Sequence, residues 1–410
     1  FAVRPHLLRG LAVTSTMLIC FALFAGLAVI QIANPGLQSP LVGLLGLKVW
    51  LLYVPLALAV GGALQDEAAL QRFLRGALLV CLVCFGTALA QVASSLTIGY
   101  ETTIRFTHGP AAAGATQNFA NFGMGGFFGR IPATFASAAE FYGFCGLAIA
   151  LCYAALRFER HRLWRGLALA GLLIGCLAYV TSGSRGALAF IPLILLTTMV
   201  LERRIGAGLA VGILLVPAAF LGTVWIGIDF FGLAGVTAEL ARVYSLNVGF
   251  GDMWRLMVEA PLGQGTGSGT LATRHVMADG GFGTRKFFEG MYNKAALEFG
   301  ILGPALLFAF LMSVVAAGLR ALAACRDPRH AGAAAALLAW IMVNVAWSLK
   351  GWILDLDPTN VIFWMFTAIV LRLPSLQGAT EPLRREPTQH PFLAQLRTQP
   401  TILGGPRPRS

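Results

Sequence analysis

The sequence predicts an all-α fold, a polytopic integral membrane protein of about ten transmembrane helices with a large outer loop. Three observations carry this. Hydrophobic residues make up 57% of the 410 positions and charged residues 12%, and the mean hydropathy is +0.75. That is more apolar surface than one water-soluble core can hide, so a bilayer must solvate much of the chain. Apolar runs recur along it, each near the ~20 residues that cross a ~30 Å hydrocarbon core. The basic residues between them favour every second connection, as cationic loops held in the cytoplasm do.

The stretch from Gly10 to Leu47 has no charged residue, and its one interruption is the turn-forming run NPGLQSP from Asn34 to Pro40. It supplies the first span and opens the second. Further spans are predicted at 74–95, 135–156, 163–181, 186–202, 206–228, 300–321, 331–352 and 358–373, the last being the shortest. Apolar segments continue toward the end of the chain, unlike a signal peptide followed by a soluble protein, so the first span reads as an anchor. Phe1 reads as an internal start, with room for further spans upstream. Arg4 and Arg9, Arg72 and Arg75, Arg157, Arg160, Arg162 and Arg165, Arg203 and Arg204, and Arg320, Arg326 and Arg329 fall on alternate connections. That pattern puts both termini in the cytoplasm and leaves outer loops at 97–134 and 229–298. The membrane domain is expected over 1–373. The tail 374–410, rich in Pro, Arg, Gln and Thr, lacks the apolar residues for a core and reads as a disordered cytoplasmic segment.

The net charge of +12 reports topology and contact with anionic membrane lipids, and it gives no reason to invoke nucleic acid. All seven cysteines fall in predicted spans or at a cytoplasmic end, where disulfides are not expected. Cys81 and Cys84 form a CxxC, but inside an apolar helix and without a second ligand pair they read as packing. No metal site, cofactor motif or internal repeat is expected.

Charges inside hydrocarbon are costly and point to function. Lys48 is predicted a third of the way into the second span from its outer end, and Glu140 a similar distance into the fourth. Arg130 precedes the fourth span, Arg185 lies in the turn TSGSRG, and Asp355 and Asp357 precede the last span. Each has a plainer reading: Lys48 as a snorkelling side chain, Glu140 as an ion pair or helix hydrogen bond, and the aspartates as solvated groups. Against those readings stands convergence, because all six belong to one membrane depth. The loop 229–298 adds Arg242, Arg255, Arg274, Arg285, Lys286 and Lys294 with the run PLGQGTGSG at 261–269. Arginine forks and close-approaching glycine amides suit an anion, while a basic loop equally suits anionic headgroups. His275 reads as solvated.

Four segments then resemble a family. They are GRIPATFASAAEFYGF at 129–144, YVTSGSRGALAFIPLILL at 179–196, GDMWRLMVEAPLGQGTGSG at 251–269 and EGMYNKAALEFGILGPALL at 289–307. In order and spacing they are similar to the O-antigen ligase and polymerase superfamily of bacterial envelope glycosyltransferases, with a membrane fold like that of the C-type glycosyltransferases. The resemblance covers about residues 1–375. It departs in two places. Ala133 stands where the family's Arg-x-x-Gly-Thr-Phe segment has Gly, and Tyr292 and Asn293 stand where the ligases carry a His-Asn pair.

The resemblance implies glycosyl transfer from an undecaprenyl-diphosphate-linked sugar to a sugar hydroxyl, at a partly helical periplasmic loop of a bacterial inner-membrane protein. The departing diphosphate calls for fixed cations, expected from Arg185, Arg242 and Arg255 with help from Lys48. The acceptor calls for a general base, assigned to Glu289 because a Tyr is a poor base at neutral pH. Glu289, Arg185 and Arg242 are thus the expected catalytic residues, and Arg130, Arg255, Lys48, Tyr292, Asn293 and Lys294 the expected substrate-binding ones. Neither metal nor cofactor is implied, and attack opposite the leaving group inverts the anomeric carbon. The lost His favours a polymerase of lipid-linked repeat units, with a chain-length regulator or export complex as possible partner. The alternatives are a ligase acting on lipid A core, or a transporter or flippase of lipid-linked oligosaccharide. A transporter is disfavoured by the large outer loop and outward charges.

Overall fold

A computed structural model describes residues 10–37, 39–110, 131–181, 186–203, 250–270, 290–349, 351, 355–356 and 358–377, with backbone alone over 180–181 and 186–189. The described regular structure is helical. In chain order it comprises α1 (Ser15–Ile30), α2 (Pro40–Leu51), α3 (Leu56–Ala63), α4 (Glu67–Ile98), α5 (Tyr100–His108), α6 (Ala138–Phe158) and α7 (Arg162–Thr181). There follow α8 (Gly186–Leu201), α9 (Asp252–Glu259), α10 (Met291–Phe299), α11 (Leu302–Ala324), α12 (Pro328–Trp347) and α13 (Thr359–Leu376).

Among the described residues, eight helical segments are long and apolar enough to cross a membrane: 15–33, 40–63, 67–98, 138–158, 162–179, 302–324, 328–347 and 359–376. The chain is therefore a polytopic helical protein of membrane type. The sixth expected span forms as the shorter α8, and the seventh, at 206–228, lies outside the described residues. The second crossing is broken between α2 and α3 at a turn holding Pro55, which has no N–H to carry the ladder through.

Local sequence sets the starts. Thr14, Ser39, Asp66, Ser137 and Asp327 each accept a backbone N–H of the first turn through a side-chain oxygen, at 3.2, 3.2, 2.6, 3.3 and 2.8 Å. Pro40 and Pro328 follow two of these caps at the first helical position. The Ser137 cap starts α6 three residues later than the apolar run suggested. It places Glu140 in the first turn, where a carboxylate complements the helix N-terminus.

The last helix corrects the sequence reading in the other direction. It continues past the expected end at 373, through Pro374, to Leu376. Leu373 and Leu376 are buried in the core, and Arg372 donates to the Leu64 carbonyl at 2.9 Å. That anchoring outweighs the proline.

Basic residues of alternate connections share one end of the bundle. Arg75 pairs with Glu159 at 2.6 Å, Arg157 with Glu202 at 2.9 Å, and Arg329 with Glu67 at 3.0 Å and Asp327 at 2.7 Å. These contacts bring together the starts of α4, α7 and α12 and the ends of α6 and α8. At the centre α12 lies against α6, α8, α11 and α13. Its run of alanines from 333 to 336 is fully buried, because small side chains let helix backbones approach closely where lipid supplies no hydrophobic drive.

Candidate functional site

The opposite end of the bundle is built around α10, a nine-residue helix that lies outside the spans and is buried at every position. Its N-terminus is closed by protein. The amide of Met291 donates to the carbonyls of Ser348 at 2.7 Å and Gly351 at 3.1 Å, at the end of α12. Donor groups of one helix thereby satisfy acceptor groups left by another. Gly290 makes the junction possible. Its φ is +119°, and a Cβ there would stand 2.4 Å from the Leu349 carbonyl oxygen.

Lys294 and Glu298 are four residues apart and share a face of α10. Glu298 is 0% exposed, and donors surround its carboxylate. One oxygen accepts from the Trp50 indole at 2.7 Å and the Gly267 amide at 2.8 Å; the other accepts from the Gly269 amide at 3.1 Å and the Thr270 hydroxyl at 3.4 Å. Backbone amides of a glycine-rich turn make an anion-binding concavity, and here that concavity holds the protein's own carboxylate. Burial nevertheless pushes the Glu298 carboxyl above its ordinary range and Asp355 adds to it, while Lys294, the Gly267 amide and Trp50 pull the other way.

The glycine run also fits this place sterically. Gly263, Gly265 and Gly267 all have φ between +79° and +96°, and a Cβ at Gly267 would stand 2.1 Å from the Val42 carbonyl oxygen of α2. The run is thus wedged between α2 and α10. Gln264 and Gly265 donate to the Leu297 and Glu298 carbonyls at the C-terminal end of α10, at 2.8 and 3.0 Å.

Lys294 reaches Asp355. The ammonium stands 2.8 Å from one Asp355 oxygen and 5.1 Å from the centroid of the Trp50 ring, and the two side chains are 4% and 3% exposed. The second Asp355 oxygen is buried without a hydrogen bond. Asp355, expected to be solvated, is instead one half of a buried ion pair. Burial beside Lys294 leaves its side chain almost without contact with solvent, which overturns the solvated reading.

The other expected residues are distributed as follows. Asn293 is buried on α10. Tyr292 points back into the bundle, its hydroxyl donating to the Val345 carbonyl at 3.3 Å, and burial pushes its ionisation up to about 12. Arg255 lies on α9, half-exposed, 3.0 Å from Asp252 and 3.8 Å from Glu259. Two carboxylates therefore already balance its charge. Lys48 is exposed on α2, two residues from buried Trp50 and hence on the far side of that helix. Arg130, Arg185, Arg242 and Glu289 lie outside the described residues, as does Asp357.

Glu298, Trp50 and Gln91 are the polar groups that the site reading passed over. Glu298 had a visible signal, being the one acid between Gly290 and Arg320 in an otherwise apolar stretch. Gln91 is buried in α4, where its amide accepts from and donates to the Ala133 backbone, both at 2.9 Å. Ala133 has a φ of +52°, so the position at which the resembling family carries Gly has a backbone that favours Gly. Among the described residues no three His, Cys, Asp or Glu side chains stand together as a metal set. Compared with known proteins, the chain matches no family model and no curated protein, so the site stands on its own geometry.

Proposed function

We propose that this chain is a membrane glycosyltransferase that polymerises undecaprenyl-diphosphate-linked oligosaccharide repeat units at the periplasmic face of a bacterial inner membrane. In the reaction an acceptor sugar hydroxyl attacks the anomeric carbon of the donor. Its proton passes to a base, the bond to the lipid diphosphate breaks, and the configuration inverts. Glu289 is the base, bonded directly to the fixed Gly290. Arg185 and Arg242 face the diphosphate and Arg130 orients substrate, whereas Tyr292, Asn293 and Lys294 are buried supports of the site, Lys48 points away from it and Arg255 is held by Asp252 and Glu259.

The observation that carries this reading is the seating of Glu298 on the glycine amides. Two of the segments on which the family resemblance rests, 251–269 and 289–307, meet there in direct contact. A third supports it through the left-handed Ala133. The test is to delete the gene in its host and analyse lipid-linked sugars and surface glycan. Single repeat units accumulating on lipid, with long chains lost, are expected. Long chains stranded on the carrier would instead assign a ligase, and repeat units held at the cytoplasmic face would assign a flippase. In a complemented strain, Arg185→Ala and Glu289→Gln should each abolish polymer with membrane insertion intact; normal polymer from both would remove the catalytic assignment.

A further inference from the structure

Helix α9 has three faces. Leu256 is buried against Ala296 and Leu297 of α10, with Met253 and Met257 packed beside it. Asp252, Arg255 and Glu259 form a second, ion-paired face. At 100° per residue the third holds Trp254 and Val258, with Phe250 one turn before them. That face is apolar and bare: Trp254 is 68% exposed, Val258 64% and Phe250 48%.

The bare face has a continuation. Leu262, 79% exposed, follows it along the chain. The Leu262 carbonyl accepts from the Gln31 side chain at 2.7 Å, and the Pro261 carbonyl accepts from the Ile301 amide at 3.0 Å. Leu262 therefore sits between the end of α1 and the start of α11, next to exposed Ile30, Ile301 and Leu302. From there apolar exposure runs down both spans, through Leu23 and Leu18 on one and Phe308 and Met312 on the other. A surface of that kind, on helices of spanning length, faces hydrocarbon.

We infer that α9 lies along the membrane surface, with Phe250, Trp254 and Val258 sunk into the headgroup and acyl boundary of a lipid bilayer. A helix with an apolar face, a charged face and little net hydrophobicity adopts that position, about 5–10 Å into the boundary. Tryptophan favours it, having an apolar body and one polar N–H. Because α9 also packs on α10, the lipid surface would fix the depth of the Glu298 and Lys294 cluster. This inference goes beyond the proposed reaction and does not depend on it.

The test is photolabelling of the full chain in phospholipid nanodiscs that carry a diazirine near the headgroup, with adducts mapped by mass spectrometry. Trp254 and Val258 should be labelled to the extent seen at Leu302, and about fivefold more than Glu259 on the wet face. Trp254→Glu should lower labelling of the 250–262 peptide several-fold while Leu302 labelling is unchanged, which shows that the fold persists. Labelling confined to Leu302 and the spans would overturn the inference. So would photo-cross-links from a benzophenone side chain placed at position 258 to residues 204–249 or to a second copy, since protein and not lipid would then cover the face.

Discussion

Ala133 holds a left-handed backbone that an L-residue adopts at a penalty of ~1–2 kcal/mol, against ~0.8 kcal/mol for the burial of its methyl. Ala133→Gly should therefore raise stability by roughly 0.5 kcal/mol, and Ala133→Val, β-branched at that φ, should lower it by more than ~2 kcal/mol. Thermal unfolding in detergent separates the two, and an order with Val above Gly would contradict the strain. Lys294 and Asp355 test a different quantity. Either Lys294→Met or Asp355→Asn strands a buried partner and should cost about 3 kcal/mol, while the double variant should lose at least ~1 kcal/mol less than the sum. Strict additivity would show that the pair is not coupled. Glu298 adds a pH dependence. Its folded ionisation is raised, so its stabilising contribution is complete below the ordinary value of 4.5 and is lost as pH rises from there through the folded value. Glu298→Gln should flatten that part of the melting profile, and an unchanged slope would assign it to other groups.

At the scale of elements, the glycine run and α10 form one unit despite 20 intervening positions between Thr270 and Met291. The run gives its amides to Glu298, and the C-terminal end of α10 gives its carbonyls back to the run. Gly267→Ala should be among the most damaging single-methyl changes in the protein. It puts a Cβ against the Val42 carbonyl at a φ of +88°, and a loss above ~3 kcal/mol is expected. Gly76→Ala, on α4 with open space around it, is the control and should be neutral or stabilising by ~1 kcal/mol. Comparable melting of the two variants would mean that the run is not locked to α2. The existence of α10 and its capping by α12 were not legible from the sequence, which read the outer loop as ending at 298. Nine mildly apolar residues carry no strong period, and burial here comes from neighbours distant along the chain.

At the scale of the molecule, the alternation of arginines foretold which connections share an end, and the ion pairs of Arg75, Arg157 and Arg329 bring those connections together. Those pairs also qualify the reading of the net charge, because several of the same arginines face a buried or half-buried carboxylate before they face any lipid. Of the six polar residues expected to converge at the opposite end, Asp355 is in the buried cluster, while Arg130, Arg185 and Asp357 lie outside the described residues. Of the other expected site residues, Lys294 and Asn293 belong to the buried cluster, whereas Lys48 points away and Arg255 is balanced by Asp252 and Glu259.

The sequence by itself determined the class of the protein, the approximate position of each described span and the helix starts. All of these follow from local quantities: hydropathy summed over some twenty residues, a capping oxygen next to the first turn, a proline without its N–H. Only the tertiary structure decided which polar groups meet. Whether a carboxylate in an apolar stretch is exposed, paired or seated on amides depends on which distant backbone is folded against it. Glu298 and Gly267 are 31 residues apart and Trp50 and Glu298 are 248. No period or composition encodes that contact. It follows from packing α2, α10 and the glycine run closely enough that a side chain on Gly267 would have no room.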